Sequence, residues 1–396
     1  MKLNKKAAVV ALAASGLIFS STPAFADTIN GSGASFAQPL IDVCKVEFTK
    51  DTGHTINYAG VGSGRGRSDF AGNLVDFAAS DSVYTSGFPA HLEYAPVYAA
   101  PIAIFYNLPT VKEKINLSEV TVAQIFSGEI TKWNDPQIIE ENQGVTIKTP
   151  VYRTKKEVVT VGGKKVTKTV PVLDKNGKPT VIRTITKKVD IALPNTPITV
   201  YYRTDSSGTS EQFGKYLQGA NAGANAGLWP KTASGTFSNM TPNSIAGNFN
   251  FQGASGSALV AAGVKGKIGG IGYAEVGWPV ESKLPSANIR NAAGEYVQPT
   301  AAGTSAFLGS SGTILDNGSV ITDYKKPVSG AYSLGTASYG LVYPASANKN
   351  AAKQKIVADW HTYMLEQCPK KFPEKGYVAI SGPLYDKAKA QIAKIK

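Results

Sequence analysis

The chain has 396 residues, 42 % hydrophobic and 17 % charged, so it is long enough for more than one domain and too apolar to be largely disordered. Forty Gly without a G-X-Y period exclude collagen, and two Cys exclude a disulfide-dense scaffold or a cysteine-built metal centre. The formal charge of +13 is concentrated rather than spread: residues 1–26 carry +3, and Arg153–Asp190 has 11 Lys/Arg against 3 Asp/Glu. About +2 is left for the remainder, so no nucleic-acid partner is expected for the main body. Three scattered histidines, His54, His91 and His361, argue against histidine-based metal catalysis, and no metal or other cofactor is expected.

The first 26 residues read as a secretory leader. Lys2, Lys5 and Lys6 precede an apolar run from Ala7 to Phe19, and Ala24-Phe25-Ala26 supplies a small-x-small end. Cleavage is expected after Ala26, with no Cys at the cut to carry a lipid. No later stretch reaches the ~18 apolar residues of a spanning helix, so a periplasmic or secreted chain without a membrane span is expected.

From Asp27 onward short strands alternate with helices, which predicts an α/β architecture. Phe36, Leu40, Cys44 and Phe48 recur every four residues and mark an amphipathic helix with Pro39 in its first turn. Thr55–Tyr58 reads as a strand, Gly60–Gly66 as a glycine-rich turn into a second helix, and Val75–Ala79 as a buried strand. Tyr94–Tyr106 is apolar enough to cross between two lobes. Arg153–Asp190 breaks the rhythm. It is Val-rich with partial alternation around Gly162-Gly163 and Asn176-Gly177, which predicts an inserted β-hairpin or meander. Thr199–Arg203 resumes a core strand, Gly219–Ser257 reads as loops and short helices, and Ile268–Ala274 is a candidate return crossing. Gly335–Pro344 is a further strand, followed by helices over Asn350–Gln367 and Leu384–Ile395.

Three segments share one design, a strand followed by a Gly/Ser/Thr turn and a helix: Gly31–Phe36, Gly60–Gly64 and Arg203–Thr209. A helix start offers unpaired N–H groups and partial positive charge, hydroxyls add donors, and Gly admits close approach. Three such ends converging would bind a small tetrahedral oxyanion, although each alone is equally an ordinary capped helix. Arg203 can grip an oxyanion with two parallel N–H bonds, with Asp205 holding its guanidinium. Asp81, closing the strand at Ala78-Ala79-Ser80-Asp81, can accept a hydrogen bond only from a ligand that keeps a proton. Phosphate keeps one near neutral pH and sulfate does not, so Asp81 is either a selectivity filter or a helix cap.

Taken together, these segments resemble the periplasmic phosphate-binding proteins of ABC transporters, the PstS family, with kinship to its DING-type branch. The resemblance rests on Asp27–Gly31, the G-S-G-A-S-F opening at Gly31–Phe36, the Gly62–Gly64 turn, V-D-F-A-A-S-D at Val75–Asp81, R-T-D-S-S-G-T at Arg203–Thr209 and I-G-Y-A-E at Ile271–Glu275. It implies a two-lobed fold with a hinge and an interlobe cleft: lobe one from residues 27–105 and 271–396, lobe two from 106–270 with the basic insert at 153–190. It implies ligand donors at Ser35, Phe36, Ser63, Arg203, Ser207, Gly208 and Thr209, a proton-accepting carboxylate at Asp81, and Asp205 in support. The implied function is a non-enzymatic, monomeric receptor that delivers inorganic phosphate to an ABC permease. Arg65 stands where the family usually has Gly, and is either a further cleft cation or solvent-facing. Cys44 and Cys368 both fall in lobe one, as a disulfide or as two buried thiols. An exported phosphatase or phosphoester-binding protein is the enzymatic alternative, without a visible nucleophile or metal set. An interaction protein acting through the insert is another.

Overall fold

The computed structural model describes residues 27–161, 164–347 and 351–395. The expected leader and the Gly162-Gly163 turn lie outside the described residues.

One sheet of eight strands organises the molecule. In chain order these are β1 (Thr28–Gly33), β2 (Thr55–Ala59), β3 (Phe77–Ser80), β4 (Glu93–Tyr106), β5 (Thr199–Arg203), β6 (Phe251–Ala254), β7 (Gly270–Glu275) and β8 (Gly335–Val342). Across the sheet they run β6-β5-β7-β4-β8-β3-β1-β2. At one end β1 is parallel to β2 and β3, and at the other β5 is parallel to β6 and β7. β4 joins the two ends, antiparallel to both neighbours: Glu93–Pro101 pairs with β8 and Ile102–Tyr106 with β7. One strand therefore pairs with both ends of the sheet of a two-lobed α/β fold, and we place the passage between the lobes at Pro101 and Ile102, where it changes partner. Its residues are buried after Glu93, which is why the segment reads as an unbroken apolar run and not as an alternation.

The return crossing is elsewhere than Ile268–Ala274. β7 pairs only with β5 and the last part of β4, and strand Asn288–Arg290 still pairs with Asn116–Leu117 beyond it. We place the return between Val297 and helix Ala301–Ser311, which packs on β8. A buried apolar strand has the same pattern on either side of a hinge, so periodicity alone could not locate this boundary.

Five helices either begin at the passage between the lobes or tie the chain ends together: α1 (Gln38–Thr52), α2 (Ser63–Ala71), α3 (Gly208–Ala220), α4 (Ser257–Gly266) and α5 (Ala351–Glu366). α1 buries Leu40, Ile41, Cys44 and Phe48 and stops at Gly53, whose left-handed φ of 79° suits a residue without Cβ. Phe48 meets the edges of Trp360 and Tyr363 on α5, with ring centroids 5.2 and 5.5 Å apart. One turn back along α1, Cys44 is joined to Cys368 by a disulfide with a Cα–Cα distance of 5.7 Å. The two ends of the described chain are thus bound by apolar packing and by a covalent bond.

The insert is a branched β-structure. Its stem pairs Val145–Tyr152 with Val181–Val189, so the ribbon begins before the expected start at Arg153. Pro150 and the Thr/Lys positions hide that first strand in the sequence, because charge rather than alternation marks the segment. A second ribbon pairs Thr154–Val161 with Lys164–Pro171. The third branch is the turn around Asp174–Lys178, closed by amides 176 and 178 donating to Asp174 Oδ1 at 2.8 and 2.9 Å. The branches meet in a ring of backbone hydrogen bonds: Arg153 N–H to Thr180 O, Thr180 N–H to Val172 O and Val172 N–H to Arg153 O, each 2.8 Å.

A disulfide spanning 324 positions removes much freedom from the unfolded chain. Replacing both cysteines by Ala should lower unfolding stability by about 2–5 kcal/mol in a guanidinium titration. An unchanged midpoint would show that α1 and α5 hold together by packing alone.

Candidate functional site

The three strand–turn–helix segments converge at the passage between the lobes, and a fourth helix start joins them. β1 leads through Gly33 (φ 140°) into Ala34-Ser35-Phe36 ahead of α1. β2 leads through Gly62 (φ 95°) into Ser63 at the head of α2. β5 ends at Arg203, and Ser207 caps α3, its Oγ accepting from Ser210 N–H at 3.1 Å. Ser257 opens α4 after Gly256 (φ 80°).

Contacts between these segments cross from lobe to lobe. Ser257 N–H donates to Ser35 Oγ at 3.2 Å, and the two hydroxyls are also 3.2 Å apart. Gly64 N–H donates to Ser206 O at 3.0 Å, and Gln212 Nε2 donates to Asp81 O at 2.7 Å. Gly208 touches the opposite lobe so closely that a Cβ there would stand 2.4 Å from Ser63 Oγ and 3.1 Å from Asp81 Cβ. A Cβ on Gly62 would stand 2.6 Å from Asp205 Oδ2. Both glycines are therefore required by close approach, and Gly62 by its backbone angle as well.

Arg203 is 1 % exposed. Its Nε donates to Asp205 Oδ1 at 2.6 Å, its Nη2 to Asp205 Oδ2, and its Nη1 to Ser257 Oγ at 3.1 Å. Gly256 N–H adds a 3.0 Å bond to Asp205 Oδ1. Burial alone would raise the Asp205 carboxyl, but the hydrogen bonds and charge of Arg203 outweigh it and hold the group below its ordinary range. The carboxylate thus fixes the guanidinium plane and neutralises a cation that would otherwise be costly to bury.

Asp81 is a carboxyl group in a setting of donors. Its Oδ1 accepts from Ser338 Oγ at 2.9 Å and its Oδ2 from Ser63 Oγ at 3.4 Å. Burial pushes it up to about 7, against the lowering effects of Ser338, the Arg203 charge, Ser63 and Thr209. Around it, the amides of Phe36, Gly208 and Thr209 have no acceptor among the described residues. Buried amides are normally paired, so these are unspent donors at helix starts. The arrangement can hold a small tetrahedral oxyanion with N–H and O–H donors on most sides and one acceptor, suited to an anion that still carries a proton.

Ser35, Phe36, Ser63, Asp81, Arg203, Asp205, Ser207, Gly208 and Thr209 are buried or half-buried in this one region. Arg65 is not brought in. Its Nε pairs with Asp69 Oδ1 at 2.6 Å on its own helix, and its side chain is 66 % exposed. Arg67 likewise turns away, donating to Ser82 Oγ beside the Tyr84 ring. Sequence reasoning missed Ser257, Ser338 and Glu275. Glu275 is wholly buried at the crossing, paired in register with Ile102, and neither carboxyl oxygen has a partner among the described residues. Burial raises it well above the usual carboxylate range, with Asp81 adding to the effect. The Ile271–Glu275 motif pointed at this strand, but nothing in the spacing singled out its last residue.

A family profile described as "PBP superfamily domain" matches residues 20–367. Among curated relatives, phosphate-binding protein PstS 2 of Mycobacterium tuberculosis is 32 % identical over 324 residues, covering 76 % of this chain and 70 % of the relative. Among solved structures, a high affinity periplasmic phosphate-binding protein of the DING type, bound with phosphate, superposes with a TM-score of 0.62 at 19 % identity, over 92 % of this chain and 93 % of that one. A putative phosphate ABC transporter substrate-binding protein from Clostridium perfringens, with bound phosphate, gives a TM-score of 0.53 at 14 % identity, over 89 % of this chain and all of that one. The shared fold, the matched profile and the identity to PstS 2 lead to one assignment: the chain belongs to the PBP superfamily and, within it, to the family of PstS phosphate-binding proteins.

Proposed function

We propose that this protein is an extracytoplasmic phosphate receptor, which closes its two lobes on inorganic phosphate and passes it to an ABC permease. The observation that carries the reading is Asp81, a buried carboxyl group facing unspent amide and hydroxyl donors. Ser35, Ser63, Ser207 and Thr209 supply hydroxyls, Phe36, Gly208 and Thr209 supply amides, and Arg203 supplies charge. Asp81 accepts the proton that phosphate retains and sulfate lacks. Sulfate would leave a desolvated carboxylate against a ligand oxygen, a cost of roughly several kcal/mol.

The same geometry favours a receptor over an enzyme. The donors around Asp81 are helix-start amides and serine or threonine hydroxyls that hold an anion, and each Asp81 oxygen is itself held by a serine hydroxyl, which suits a carboxyl that accepts one further hydrogen bond from the ligand. His361, the buried histidine, sits on α5 with Nδ1 2.7 Å from Val357 O, and burial lowers it to about 4.

In calorimetric titrations of ligand-stripped protein, phosphate should bind at least 1,000-fold more tightly than sulfate, and Asp81→Asn should shrink that ratio by at least tenfold. Equal discrimination in the variant would remove Asp81 from the role. Gly208→Ala should weaken phosphate binding by at least tenfold with the fold retained by circular dichroism, because its Cβ collides with Ser63 and Asp81. Undiminished affinity would mean that the lobes need not close this far.

Asp81 also links stability to pH. Its carboxyl titrates near 7 in the fold and near 3.8 when free. The folded state therefore holds a proton that the unfolded chain releases, and the associated stability is present in full below about 4. It is lost as pH rises through about 7. The Tm of ligand-free protein should fall across that window, and Asp81→Asn should reduce the slope. Parallel Tm profiles for the two proteins would contradict this.

A further inference from the structure

The stem and branches of the insert, Val145–Val189, hold twelve Lys/Arg and two acids, a net of +10. From Asp27 onward the whole chain is also +10, so the rest of it sums to zero. All the net charge of that chain sits on one projecting arm. Among the described residues the arm holds one ion pair of its own, Lys155–Glu157, and its other acid, Asp174, stands near Lys178, so two acids are set against its twelve cations.

The arm is remote from the anion site. Val145 and Val189 pack on the core at its root, Gly144 N–H bonds Asp190 Oδ1 at 2.7 Å, and Ile191 N–H bonds Asn142 O at 2.9 Å. Asn142 in turn bonds Asn116. This neighbourhood adjoins Glu119, whose carbonyl accepts from Asn221 at the far end of α3. The start of α3 is at the site, and its 13 residues span about 20 Å.

Beyond the root both ribbons are two-stranded, belong to no larger sheet and expose most side chains. Lys155, Lys156, Lys164, Lys165 and Lys168 line the second ribbon, where edge lysines disfavour addition of another protein strand. One aromatic, Tyr152, occurs in the arm. Base stacking draws on aromatic side chains, so a nucleobase does not suit it, and a single tyrosine gives no aromatic belt to seat the ribbon in a lipid interface. Dense cations without stacking groups, presented along two-stranded ribbons, match a flexible chain of repeating phosphates.

We propose that this arm is a docking site for a linear inorganic polyphosphate chain, and holds the receptor beside it while the cleft works independently.

The test uses the chain from Asp27, with orthophosphate saturating the cleft, titrated with long-chain inorganic polyphosphate at 50 and 200 mM salt. The comparison variant carries Lys→Gln at 155, 156, 164, 165 and 168. Wild type should bind with steep salt dependence, and the variant should lose at least tenfold in affinity and about 3 in the log–log salt slope. Its circular dichroism and its orthophosphate affinity should match wild type, which separates loss of the arm from misfolding. Absence of polyphosphate binding, or equal binding by the variant, would overturn the proposal. So would tighter binding of wild type to single-stranded DNA, or to vesicles of equal phosphatidylglycerol and phosphatidylcholine, than to polyphosphate.

Discussion

A guanidinium with almost no exposed surface stands at the centre of this structure, and its pairing with Asp205 makes the rest workable. Burying Arg203 without a partner would cost several kcal/mol. Asp205 takes two of its donor nitrogens and is itself held by Gly256 N–H. The third nitrogen is left for Ser257, which also bonds Ser35 of the opposite lobe. Gly62, without a Cβ, lets lobe one lie against the same pair. The ion pair is therefore a structural keystone of closure as well as a source of positive potential, and Asp81 is tolerated near it because that potential offsets part of its burial.

Much of the site was legible because its residues lie in short runs with local physical meaning. A strand, a glycine with positive φ and a hydroxyl before a helix can be recognised from adjacent residues, and three such runs carry most of the donors. Ser338 and Ser257 were not legible in the same way. Ser338 lies on β8, distant in sequence from Asp81, and looks like any small residue in a buried strand. Ser257 reads as a plain helix start until Arg203 and Ser35 are placed against it. Arg65 shows the converse: a cation beside a glycine turn, whose position on α2 gives it Asp69 four residues on.

The same division holds for the fold. The alternation of strands and helices and the crossing at β4 follow from composition and run length. The extent of the second lobe does not, because strand Asn288–Arg290 joins it through pairing with residues 116–117, a contact with no local signature. The stem of the arm is longer than its charge pattern implies for a related reason: its first strand carries one lysine, and its membership depends on the partner strand that returns much later.

The bond between Cys44 and Cys368 has a consequence for the order in which the molecule can assemble. With the return placed near Val297, lobe two is one continuous stretch of chain from β4 onward, whereas lobe one draws on both ends. The amino-terminal strands and α1 can meet one another early, but β3 lacks its second neighbour and α1 its aromatic packing until β8 and α5 arrive, and contacts so far apart in sequence form slowly. Lobe two can therefore be complete while the amino-terminal strands still wait. The finished lobe one then closes like a clasp, with β4 threaded through both halves and the cysteines locking the last segment to the first helix.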